Sequence, residues 1–201
     1  MRLLLATLFT GFVLVSSQDS RPLTAEDGAD FVSVMDLLNQ AVPEVNEQEV
    51  ENDSAREIVV TQRSLNGYLR FQGASILPEA LSDVTVEILE GGQLIGTGFV
   101  NVDEVDDLSS GSMGMLQFLS GSLPVSVSMT IEVSGEELQM TLEDLEIGPV
   151  NVPPALAQLL VRQYSVNERY PNGIDLSEPI LIPSAIEDVE IQQGRIVIVT
   201  Q

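Results

Sequence analysis

Almost all the side chains that could do chemistry in this sequence are carboxylates: it holds 31 Asp and Glu, 8 basic residues that are all Arg, and no His, Cys or Lys. The usual general base, thiol nucleophile, Schiff-base amine and soft metal ligands are therefore missing. Serines remain, but no Gly-x-Ser-x-Gly elbow frames one, and Gly111-Ser112-Met113-Gly114 has the wrong spacing. Gly96-Thr97-Gly98 lacks the third glycine of a dinucleotide loop and reads as strand glycines that permit a bend. A carboxylate pair can hydrolyse a glycoside, yet so many acids guarantee such a pair by chance, and sugar clefts lean on aromatic platforms. This chain has no Trp and 4% aromatics. The expectation is no catalytic residue and no enzyme. Asp103, Glu104, Asp106 and Asp107 offer hard oxygen ligands for calcium, but Val105 interrupts the EF-hand spacing and its glycine is absent, so the cluster reads as an exposed loop. No metal and no cofactor are expected.

What remains is apolar. Between Leu108 and Leu123, Gly111, Gly114 and Gly121 interleave with Met113, Met115, Leu116, Phe118 and Leu119. An apolar run of this length ordinarily means burial, as a short core helix between two hairpins. The other reading is a glycine-hinged lid over an apolar cavity, since long connections in compact domains are often functional and Met adapts to irregular ligands. A second stripe follows Pro153-Pro154: Leu156, Leu159, Leu160 and Tyr164 recur at helical spacing. The two sets together are the candidate lining of an apolar groove.

The elements that would position these residues are legible from periodicity. Phe31, Val34, Met35, Leu38 and Val42 predict a helix over 21–42, with Thr24 and Asp27 at its start and Pro43 at its end. Residues 44–57 carry many acids and little apolar periodicity, and read as a solvated linker. Thr61 caps a short second helix with Leu65, Tyr68 and Leu69 on one face, stopped near Gly73. Three hairpins are predicted. The first turns at Gly91-Gly92 between Val84–Ile88 and Leu94–Val102. The second runs Val125–Val133, turns at Gly135 and returns through Leu138, Met140 and Leu142. The third turns at Gln193-Gly194 and closes the chain. One apolar and one wet face per hairpin, with helices between, gives an α+β fold: a curved antiparallel sheet packed against or wrapped around one to three helices.

Compartment follows from the first residues. Met-Arg, an apolar run from Leu3 to Val15 and small residues through Ser17 form a signal peptide, with the mature chain starting near Gln18. The run is shorter than the roughly 20 residues of a spanning helix, so no membrane span is expected after cleavage. No cysteine follows for lipid attachment, which leaves a periplasmic or secreted protein. The organisation is 1–17 signal peptide, 18–57 N-terminal helix and acidic linker, and 58–201 a single α+β domain. A net charge of −23 excludes nucleic-acid binding, because no basic patch can neutralise phosphates.

The order Thr61-x-x-x-Leu65-Asn66-x-x-Leu69, amphipathic hairpins, Gly148-Pro149-Val150 leading into Pro153-Pro154 and a helix, and the ending Ile186-Glu187-Asp188-Val189-Glu190-Ile191 with Gly194-Arg195-Ile196-Val197-Ile198, resembles bacterial tubular lipid-binding (TULIP-like) envelope proteins of the YceB-like and LmeA-like kind. The resemblance covers about Val60 to Gln201. It implies a strongly curved antiparallel sheet wrapped around a helix, an apolar groove, and a lipid or other long apolar ligand; it carries no catalytic motif. The leading expectation is non-enzymatic binding or carriage of such a ligand. The alternative is a cell-envelope assembly or protein-interaction module with a packed core, an envelope protein partner and no ligand.

Overall fold

The computed structural model describes residues 21–41, 55–73, 76–105, 119–166 and 170–200. Among these residues it is an α+β fold in which antiparallel hairpins form two sheets, accompanied by three α-helices. Helix α1 spans Ala25–Ala41. Thr24 and Asp27 cap it reciprocally: Asp27 Oδ2 accepts from the Thr24 N–H at 2.7 Å, and the Asp27 N–H donates back to Thr24 Oγ1. Strand β1, Arg56–Thr61, follows. It begins at Arg56, inside the linker expected to run to 57, and Ile58 and Val60 just beyond are buried. Its partner is β9 at the other end of the chain, Arg195–Thr200, which also pairs with β8, Ile186–Gln192. Phe31, Val34 and Leu38 of α1 cover this three-stranded sheet, packing against Ile58, Val60 and Ile198.

Helix α2, Gln62–Phe71, begins at the expected cap, with the Ser64 N–H donating to Thr61 Oγ1 at 3.0 Å. It crosses α1 where two glycines meet backbone to backbone. A Cβ on Gly67 would lie 2.6 Å from the nitrogen of Gly28. Beside this crossing, Arg63 reaches Asp27 through Nε at 2.8 Å and Nη2 at 3.0 Å, and donates to the carbonyls of Arg21 and Pro22. Asp27 is 4% exposed. The Arg63 hydrogen bonds and then the Thr24 N–H hold its carboxyl at a pKa of about 2, against an opposing push from desolvation.

The larger sheet runs β2 (Leu81–Ile88), β3 (Gln93–Asn101), β4 (Ser122–Ser134), β5 (Glu137–Ile147) and β6 (Val150–Asn151) in chain order, and a two-residue β7, Ile180–Leu181, also pairs with β5. Its free edge at β2 is closed by α2. Asn66 donates to the Val86 carbonyl at 2.8 Å and accepts the Val86 N–H at 2.7 Å, while Gln62 Oε1 accepts the Ile88 N–H. Two side-chain amides thus continue the ladder and satisfy an edge that would otherwise invite pairing. The two sheets join at the fully buried Ile88, whose carbonyl accepts the N–H of Gly194 in the β8–β9 turn.

Candidate functional site

The inner face of the larger sheet is built by register. On β3, Leu94, Gly96, Gly98 and Val100 stand opposite Met129, Val127, Val125 and Leu123 of β4. Val125, Val127 and Met129 in turn oppose Ile147, Leu145 and Leu142 of β5. Leu142 and Leu145 fall on one face despite their odd spacing, because the register slips opposite Ser128 and Met129 and leaves Glu143 as an extra residue. A bulge of this kind restores the apolar phase and bends the sheet. A second slip lies on β2 between Ser82 and Thr85, opposite Gly98, and there Asp83 adopts a positive φ of 49°.

Helix α3, Pro154–Tyr164, covers this face incompletely. A cleft of about 310 Å³ remains, lined by Leu81, Val84, Val100, Val125, Val127, Met129, Leu142, Leu145 and Ile147 of the strands, by Leu160, Val161 and Tyr164 of the helix, and at the ends by Pro78, Ala80, Val102 and Val105. Its walls are carbon almost throughout. Gly96 lies in its floor, where a Cβ would approach Val127 Cγ1 to 2.8 Å. Val127 thus packs directly over the glycine, and a side chain there would have to displace it. Thr97 reaches the lining only marginally, for its hydroxyl is shared with Thr85 at 2.9 Å and lies on the exposed side of the sheet.

Of the residues expected to line a groove, Leu160 and Tyr164 border the cleft, and Leu156 packs into the adjoining core with the buried Val152 and Ala157. Leu159 does not join them. It is 53% exposed, because residues 156, 160 and 164 repeat at four-residue steps and leave 159 on the helix flank. Met113, Met115, Leu116 and Phe118 lie outside the described residues, as do Asp106 and Asp107 of the acidic cluster and residues 1–17. On either side of that stretch, Val105 lines the cleft and Leu119 packs against the same core. Sequence periodicity missed Leu145, Ile147 and Val161. The adjacent acids Glu143-Asp144, which break the alternation, were the signal for the first two.

Other features carry less chemistry. Among the described residues no group of three or more Asp or Glu could hold a metal ion, and no helix is long and apolar enough to cross a membrane. Asp103 accepts the Gly121 N–H and Glu104 accepts from Asn101, so both serve the local turn. A recess of about 400 Å³ around Phe99 has the polar Asp83, Ser126 and Glu146 among its walls. Another, of about 430 Å³, lies beyond α3 around the Arg162–Asp175 ion pair. The carbon-lined cleft between the sheet and α3 is the candidate site. No protein-family model, curated protein or solved structure matches this chain.

Proposed function

We propose that this protein binds and carries a lipid or another long apolar molecule in the periplasm, without catalysing a reaction on it, in the manner of the TULIP-like envelope proteins it resembles. The observation that supports this best is the cleft of about 310 Å³ between the larger sheet and α3, with Gly96 in its floor. Small-molecule sites begin at about 300 Å³, so the cleft suits one slender chain rather than a diacyl lipid. At about 30 Å³ per water-sized group it holds about ten methylenes. Burial at about 0.8 kcal/mol each gives about 8 kcal/mol gross, a ceiling near micromolar affinity before association entropy is subtracted.

The second reading is a cell-envelope assembly or interaction module that meets a protein partner. What favours it is apolar surface outside the cleft: Leu159, Val166 and Leu181 are 53%, 56% and 71% exposed. One experiment separates the two and tests export as well. Native mass spectrometry of protein recovered from the envelope fraction is expected to show a chain beginning near Gln18 with an apolar molecule bound, which dissociates on denaturation. A ligand-free chain that also takes up no uncharged apolar probe would refute carriage and leave the interaction module.

A further inference from the structure

We propose that the cleft selects its ligand by charge, accepting amphiphiles with a cationic or uncharged polar end and rejecting anionic ones such as fatty acids. This deepens the carriage reading above and rests on it. The lining offers almost no hydrogen-bonding groups, so a polar end must sit at the rim, where the field rather than specific contacts acts on it.

Three features give that field one sign. First, exposed carboxylates interrupt the lining: Glu79 stands between Pro78 and Ala80, and Asp103 and Glu104 stand between Val102 and Val105. Second, Val161 and Tyr164 belong to the last turn of α3 and Leu160 adjoins it, so the cleft borders the carbonyl end of that helix, which carries a negative partial charge. The arginine in that turn does not offset it at the cleft. Arg162 lines the separate recess beyond α3, where its Nη2 lies 3.5 Å from Asp175 Oδ2 and its Nε donates to the Asn172 carbonyl. Asp175 remains ionised to pair with it, since its pKa is lowered by the Ser177 hydroxyl and N–H and then by Arg162. Third, the whole chain bears a net charge of −23.

The test compares three amphiphiles with one common tail, dodecyltrimethylammonium, dodecanol and dodecanoate, by displacement of the uncharged probe N-phenyl-1-naphthylamine below their aggregation concentrations. At ~10 mM salt, where charges act over about 30 Å, the cation is expected to bind about tenfold or more tighter than the carboxylate, with the alcohol between. The ratio should shrink towards one in ~1 M NaCl, where the screening length is about 3 Å. Leu160→Trp and Val84→Trp, which fill the cleft from its helix and sheet sides, are expected to abolish uptake of all three. Dodecanoate binding as tightly as the cation overturns the charge selection while leaving carriage intact. Failure of even dodecanol to bind removes carriage and this inference together. Cation binding that survives both substitutions marks adsorption to the acidic surface and also overturns the inference.

Discussion

Gly67→Ala is the substitution whose sign decides whether helix propensity or packing governs the α1–α2 crossing. Considered as a helical position alone, Gly67 should gain about 1 kcal/mol on replacement by Ala. The structure gives the opposite sign. The added Cβ would lie 2.6 Å from Gly28 N, 2.7 Å from Asp27 Cβ and 2.8 Å from Asp27 C, all of which belong to or hang directly from a helix backbone that cannot rotate away. Ordinary contact needs about 3.4 Å or more, so the helices must part by most of an ångström, and Asp27 and Arg63 would be drawn apart with them. Overpacking of this kind costs up to about 3 kcal/mol, which leaves a net loss of about 2 kcal/mol after the propensity gain. For a chain of this size that is a drop of about 4–8 °C in Tm. Urea denaturation and differential scanning calorimetry read it directly. Gly28→Ala, whose Cβ would come no nearer than 3.0 Å to Gly67, is expected to lose less. A Gly67→Ala variant as stable as the parent, or more so, would refute the close crossing.

Two further outcomes follow from the same region. Asp27 has its folded pKa lowered to about 2, so the stability it contributes is present above the ordinary carboxylate value of about 3.9 and is lost as pH falls through about 2. Unfolding midpoints measured from pH 5 to pH 2 should therefore fall more steeply for the wild type than for Asp27→Asn, and parallel curves would contradict the Asp27–Arg63 pairing. Asn66→Ala should leave the Val86 N–H and C=O without their amide partner, costing about 1–3 kcal/mol and removing hydrogen-exchange protection at Val86. Asn66→Asp should do no better, because it sets a carboxylate against the Val86 carbonyl; full stability in both variants would show that water seals this edge as well as the amide does.

Local physics made much of the fold legible in the sequence. The alternation from Val125 to Val133 states which side of β4 is apolar, the glycines at 91–92, 135 and 194 state where hairpins turn, and Thr24-Asp27 and Thr61 state where helices begin, because each signal is complete within one or two turns of chain. The α+β class and the absence of His, Cys and Lys were likewise readable without coordinates. Pairings between distant segments were not. Ile58-Val59-Val60 is too short an apolar run to announce a strand, and only β9 arriving from some 140 residues later makes it one. Leu142 and Leu145 look out of phase until β4 fixes the register and leaves Glu143 unpaired. Leu159 shares the apolar stripe of α3 by composition, but which flank is buried depends on where the sheet lies, and the sheet takes Leu160 and Val161 instead. Gly96 shows the division most plainly. A glycine in a strand announces a weak point or a bend to any reader of the sequence, whereas it becomes part of a cleft only because Val127, Leu145 and Leu160 are brought together with it by three separate elements, and a cavity is a property of all its walls at once.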